Sequence, residues 1–401
     1  MPALANYTQY DGRYWDTGVL RNALDYQGAK APHTNQPYSE AMLLGISGGI
    51  TFGYFTFQYE GYDPQVNLLT RNTFEPMDTI LDRLAIPRNY LQSTNANHAR
   101  QHLIETLEAG DSPIVWADMF SLPYNALKYD PINWAMMPII VTSYDAHADG
   151  AWVADRAWVG LKTTATALDA ARARVKKDKH RLMVLDHPDN GRLNEAVRLG
   201  IHDCIQLMTE KPPRGSVKNF GLAGLLNWAE MLEKDKQGSW SRDYATGRRL
   251  LSVLMSSFYF LGPCFGKTLQ AERDTYAEFL DEAAVVLAKP ELENVAARYR
   301  MAGKAWMGLL YALLPEDVPM LKTARELMEQ KYECLMELGS AATEQIAHLE
   351  QSLEGIKESA KTDFPLTESE IADLRTEIRR HVLLVHDAER EAVTALKAAM
   401  G

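Results

Sequence analysis

Apolar positions recur at helical spacing near the start of the chain and as short dense runs after it. From Thr17, the stretch Val19-Leu-Arg-Asn-Ala-Leu-Asp-Tyr-Gln-Gly28 predicts a helix with Asp16 or Thr17 as N-cap and Gly28 as its stop. Three apolar runs, Ser112–Asp118, Met137–Asp145 and Ala151–Asp155, predict buried strands. The last two are joined by Ala146-His-Ala-Asp-Gly150, a short turn ending in Gly, and therefore predict a hairpin. A helix followed by an antiparallel sheet is an α+β pattern. Beyond the Pro/Gly punctuation Lys211-Pro-Pro-Arg-Gly215 the pattern is helical to the end. There, Leu335, Leu338, Ala342, Ile346, Leu349, Leu353 and Ile356 repeat every three or four residues, as do Ile371, Leu374, Ile378, Val382 and Val385. Pro365 and the capping box Thr367-Glu-Ser-Glu370 mark the turn between these two helical limbs. The expected organisation is an α+β domain over 1–165, a connection over 166–215, and an all-helical domain over 216–401 that ends in a long hairpin over 323–400. The stripe on that hairpin is expected to pack within the chain, the alternative being the seam of a homodimer.

Composition narrows the class. With 46% apolar and 24% charged residues and a mean hydropathy of -0.28, the chain is globular, not disordered or fibrous. No apolar run reaches the stretch of about 18 residues that a membrane helix needs. Met1–Gln9 lacks the basic and apolar regions of a signal peptide, so a cytoplasmic protein that does not engage membranes is expected. A net charge of -11 argues against nucleic acid as the main partner. More than half of the acidic excess falls after Lys331, whereas Arg172-Ala-Arg-Val-Lys-Lys-Asp-Lys-His-Arg181 is basic. That run is either a solvated face or a contact for an acidic protein such as an acyl carrier protein. Cys204, Cys264 and Cys334 are too widely spaced for a disulfide framework or a Cys-x-x-Cys site. His381 and His386 are five apart, and His98 and His102 lack a zincin glutamate, so neither a metal nor a cofactor is expected. Glycines 45, 48, 49 and 53 have no Lys-Ser/Thr ending that would make a phosphate loop, and close backbone packing around a pocket explains them better.

From Gly12-Arg-Tyr-Trp-Asp-Thr-Gly-Val-Leu-Arg-Asn-Ala-Leu24 onward the chain resembles the butirosin-biosynthesis protein H family, papain-like acyltransferases related to the C39 peptidases. The likeness continues through Glu40-Ala-Met-Leu-Leu-Gly, Gly48–Phe55, Trp116–Tyr124, Val141–Asp145 and Trp152–Arg156. Gly221-Leu-Ala-Gly224, Gly262-Pro-Cys-Phe-Gly266 and Tyr276–Ala284 resemble that family's helical C-terminal domain of unknown function. The resemblance implies a papain-like fold in which a Cys at a helix N-terminus attacks an acyl thioester. A His acts as base, an Asp orients it, and the acyl group passes to an amine in secondary metabolism.

Laid on this sequence, the family's His-Cys-Glu-Thr falls on Tyr14-Trp15-Asp16-Thr17, so Trp15 holds the nucleophile position. The base position falls on Met137, and of the three only Asp155 remains. An indole is no nucleophile and a thioether accepts no proton at neutral pH. The leading expectation is a secondary-metabolism enzyme derived from thioester acyltransferases. It would act on an acyl, polyketide or peptide intermediate, by cyclisation or rearrangement, without a cysteinyl intermediate. Asp155, Asp16 and Tyr14 are its candidate acid–base residues. Trp15, Met137, Tyr124, Phe52 and Tyr54 would line an apolar site, with Gln9 at the offset of an oxyanion-hole glutamine. The alternatives are a non-catalytic protein that binds an intermediate or partner, recognised by Trp15 and Met137 filling the site, and acyl transfer through Cys264. Asp155 could equally be held by Arg156 in a structural role.

Overall fold

The computed structural model describes residues 1–9, 12, 14–129, 132–262 and 269–401. The chain opens with helix α1 (Trp15–Tyr26), a ribbon of β1 (Lys30–Ala31) and β2 (Gln36–Pro37), and helix α2 (Glu40–Ile46). A hairpin of β3 (Ile50–Phe57) and β4 (Gln65–Arg71) precedes α3 (Pro76–Arg83), β5 (Arg88–Leu91), α4 (Ala96–Glu108) and β6 (Ile114–Asp118). Then come β7 (Met136–Asp145), β8 (Gly150–Ala154), β9 (Leu161–Thr163), α5 (Ala165–Ala173), β10 (Leu182–Leu185) and α6 (Leu193–Thr209). From there, among the described residues, every regular element is helical: α7 (Gly221–Glu233), α8 (Trp240–Asp243), α9 (Gly247–Leu261), α10 (Arg273–Leu287), α11 (Glu291–Leu313), α12 (Pro319–Leu338), α13 (Thr343–Ser359) and α14 (Glu368–Met400). This is the α+β pattern with a helical C-terminal region that the sequence predicts.

Two compact units emerge, each assembled from separated stretches. One comprises Met1–Leu43, Ile80–Leu193 and Gln330–Gln351, and the other Leu44–Thr79, Asn194–Glu329 and Ser352–Gly401. These units do not follow the sequential boundaries at 165 and 215. Side-chain periodicity reports local structure, whereas unit membership is decided by contacts between residues far apart in sequence.

The first unit is built on a six-stranded sheet in the order β5-β10-β6-β7-β8-β9, every neighbouring pair antiparallel. Pro138, Ile139, Ile140 and Val141 are consecutive and all buried, so both faces of β7 are covered. Helices α1 and α4 pack against β7, and α5 against β6 and β8. Pro138 is tolerated in this central strand because β8 reaches only to Ala154, opposite Ile140. The β7–β8 hairpin turns through Asp149 at φ 48° to Gly150, as its turn residues predict.

The second unit buries an aromatic and aliphatic core around Phe52, Tyr54, Trp228, Trp240 and Trp306. Its glycines serve helix packing. A side chain at Gly45 would start 2.1 Å from the Phe279 ring, and one at Gly200 would start 2.1 Å from the Gly45 carbonyl oxygen. The capping box forms as predicted, with the Thr367 side chain accepting from Glu370 N and the Glu370 carboxylate accepting from Thr367 N at 2.8 Å. Ile371, Leu374, Ile378, Val382 and Val385 on α14 are buried within this unit, so that stripe does not form a dimer seam. The first limb of the predicted hairpin is broken. Gly339 adopts φ 55°, which ends α12, and a Cβ there would meet Leu161 at 2.7 Å and Val159 at 2.8 Å.

Candidate functional site

The N-terminus of α1 is formed by contacts from elsewhere in the chain. The helix begins at Trp15, one to two residues earlier than the expected caps, and Tyr14 is its N-cap in extended conformation without a side-chain cap bond. Glu40 ties the N-cap to the first turn instead: its buried Oε1 accepts from Tyr14 N at 2.9 Å and from Thr17 Oγ1 at 2.7 Å. A carboxylate here also meets the positive end of the helix dipole. The chain entering α1 crosses its own first turn so closely that a Cβ on Gly18 would lie 2.8 Å from Gly12 Cα. Both positions therefore require glycine.

This geometry fixes Trp15, which is 4% exposed. The Arg156 guanidinium lies over the indole, 4.0 Å from the ring centroid, and the Tyr14 ring meets it edge-on at 5.6 Å. Arg156 in turn grips Asp155, just beyond the end of β8. Asp155 Oδ1 accepts from Arg156 N at 2.7 Å and from Arg156 Nε at 3.2 Å, and Oδ2 accepts from Tyr124 Oη at 3.2 Å. Burial first, and then the Asp155 charge, hold the Tyr124 hydroxyl well above the ordinary tyrosine range, so it remains a donor. Three donors thus engage the carboxylate oxygens that a general base would use. Asn125 Oδ1 stands 3.5 Å from the Arg156 guanidinium.

The other predicted residues fall as follows. Gln9 donates from Nε2 to Ala157 O at 2.5 Å and to Asp155 O at 3.3 Å. Its amide hydrogens are therefore committed to the main chain, which corrects the oxyanion-hole expectation. Met137 is half-buried on β7 opposite Ala117, and Tyr14 and Asp16 are half-buried at the start of α1. Phe52 and Tyr54 belong instead to the second unit. They stack on Trp228 with ring centroids 5.9 Å away in both cases, and Tyr54 Oη accepts from Trp240 Nε1 at 3.1 Å, which makes them core residues and not lining of this site. Cys264 lies outside the described residues. Among those residues no group of three or more His, Cys, Asp or Glu side chains is arranged to hold a metal ion, and no helix is long and apolar enough to cross a membrane.

Sequence reasoning missed Glu40, Asn125 and Asp118. Asp118 is fully buried and accepts from Ala135 N at 2.9 Å and Ser121 Oγ at 2.6 Å. Its place in Trp116-Ala-Asp was a signal that a lone acid ends an apolar strand and must find donors.

A helix seated on an antiparallel sheet, with a buried cluster of Trp15, Tyr124, Asp155 and Arg156 joining the helix start to a strand end, defines the first unit as an α+β domain. Residues 15–156 match the family model described as butirosin biosynthesis protein H, N-terminal. The match runs from Trp15 to Arg156, the two residues in cation–π contact. No curated protein is similar enough to be matched to the chain.

Proposed function

We propose that the protein serves secondary-metabolite biosynthesis by holding an acyl or peptide intermediate, delivered on a carrier protein, without covalent chemistry at the Trp15 position. The reading rests on the family of residues 15–156 and on one observation: the Arg156 guanidinium covers a nearly inaccessible indole where an acyltransferase of this papain-like type would carry its thiol. A rearrangement using Asp155, Asp16 or Tyr14 is the weaker reading, because Tyr124 and Arg156 already engage both Asp155 oxygens. Acyl transfer would have to come from Cys264.

The test is intact-mass measurement after incubation with an acyl N-acetylcysteamine thioester, run beside calorimetric titration of the same compound. Saturable binding with unchanged protein mass is expected. A stoichiometric acyl adduct, removed by hydroxylamine and lost in Cys264→Ser, would overturn the reading in favour of covalent transfer. Turnover of the thioester without an adduct, abolished in Asp155→Asn, would overturn it in favour of rearrangement.

A further inference from the structure

Between β6 and β7 the described residues 119–129 and 132–135 of the first unit are tied together at their base. Met119 N donates to Ala135 O at 3.0 Å, and the buried Asp118 carboxylate accepts from Ala135 N and Ser121 Oγ. One leg carries Tyr124 to Asp155. The other faces outward, leaving Tyr129, Ile132 and Trp134 exposed at 57, 71 and 49%. Large apolar side chains this exposed and this close in sequence mark a contact surface more often than a resting one.

The basic run lies against the same leg, and the structure divides it in two. Arg172 is buried and donates to His180 O at 3.1 Å, Arg181 stacks on Trp116 at 3.6 Å, and Arg174 donates to Tyr129 Oη at 2.9 Å. These three arginines hold the fold together. Lys176, Lys177 and Lys179 are exposed, as is Lys128 on the loop, and the acid within the turn is the half-buried Asp178. Lys177 Nζ stands 5.9 Å from the Trp134 ring centroid, and Arg174 holds Tyr129, so lysines and aromatics share one face.

We infer that this face docks a small acidic protein, whose carboxylates meet the lysines and whose apolar side chains seat on Tyr129, Ile132 and Trp134. Charge complementarity carries the choice of occupant. On a chain of net charge -11, this cationic cluster with exposed aromatics at its centre has the anatomy of a protein interface. A small protein needs to cover only about 800 Å² of its partner, whereas an anionic bilayer would extend beyond the cluster and face the remaining acidic surface. The inference rests on the carrier-delivery reading above and locates the delivery surface on the loop that bears Tyr124.

Binding of the full-length chain to holo-acyl carrier protein, measured by interferometry at low and high salt, tests it. The triple variant K176E/K177E/K179E should weaken binding about tenfold at low salt and flatten its salt dependence, while Trp134→Ala should weaken binding with the salt dependence intact. These side chains are exposed, and circular dichroism checks that the fold persists. The inference is overturned if the carrier does not bind, if it binds the triple variant as well as the wild type, or if only vesicles containing phosphatidylglycerol bind. Titrating the same variants with the free thioester separates the two readings. Retained thioester binding with patch-independent carrier binding sinks the docking face alone, and loss of thioester binding by the wild type sinks the binding function.

Discussion

Each unit buries a carboxylate against an arginine, and the two pairs are built differently. In the first, Asp155 and Arg156 are adjacent in sequence and 7% and 6% exposed, and they are ringed by the side chains of Tyr124, Asn125 and Trp15. In the second, Arg273 and Glu389 lie 116 residues apart and have no exposure at all. Arg273 also donates to the main-chain oxygens of Thr51, Thr70 and Ala271, and Trp306 Nε1 closes on Glu389 at 2.6 Å. A charge anchored on backbone from several segments fixes how those segments pack. The Asp155 charge is held mainly by its neighbour Arg156 and by the Tyr124 hydroxyl, with Tyr14, Asp16 and Met137 half-buried in the same unit. Burial of charge alone therefore does not mark a functional site.

The largest effect should come from breaking the pair in the second unit. Arg273→Met leaves Glu389 buried without its counter-charge and should cost about 3–5 kcal/mol by denaturant unfolding. The double variant Arg273→Met/Glu389→Leu should recover most of that loss, since apolar replacement of a whole buried pair is often neutral. A single-variant cost below about 1 kcal/mol would remove the distinction between a core anchor and the Asp155 cluster.

Asp155→Asn comes next, at about 2–3 kcal/mol. The smaller figure follows from what survives: Asn still accepts from Tyr124, and Arg156 keeps the Trp15 face and Asn125. If this variant matched Arg273→Met in cost, the cluster would be as deeply structural as the core pair.

The contrast also explains what the sequence could reveal. Helix α1, strands β6, β7 and β8 and the Thr367 capping box were legible because each is declared by neighbours a few residues apart. Strand β10 is only Leu182–Leu185, too short to separate from a loop, and β3 follows glycines that read as packing points. The break at Gly339 depends on Leu161 and Val159, which no local pattern could announce. At the site, Tyr124, Asp155 and the alternative of an Arg156 partner were readable from motif positions. Glu40 was not, because its acceptor role at Tyr14 spans 26 residues. Phe52 and Tyr54 were misplaced for the same reason, since alternation along β3 says that they are buried but not in which unit.

A smaller effect separates the clusters by pH. Tyr124→Phe removes one bond to a carboxylate and should cost about 1.5 kcal/mol near neutrality. Because the folded state holds the Tyr124 proton well above the ordinary value of 10.0, the unfolded chain releases it first as pH rises. The contribution is complete below about pH 10 and is lost as pH climbs through the folded value. Tyr276 and Tyr299 in the second unit shift the same way, chiefly through burial, so the wild type should lose stability at alkaline pH and Tyr124→Phe should lose it less steeply. An unchanged slope would mean that the Tyr124 hydroxyl is not kept protonated by its burial in the folded state.

The finest test uses the one described thiol beside the core pair. Cys204 is fully buried, its Sγ donates to Ile50 O at 3.4 Å, and burial pushes its pKa up to about 12, with the Glu389 charge adding to the rise. Only the thiolate reacts with disulfide reagents. In a background carrying Cys264→Ser and Cys334→Ser, labelling by a disulfide reagent near pH 8 should therefore wait for opening of the second unit and reach a plateau rate at high reagent concentration. Below that plateau, adding Arg273→Met should speed labelling by the factor that its lost stability predicts, whereas adding Asp155→Asn should leave the rate unchanged if the two clusters belong to independently opening units. Acceleration by both would show that the units open together, and the Asp155 cluster would then count among the anchors of the whole fold.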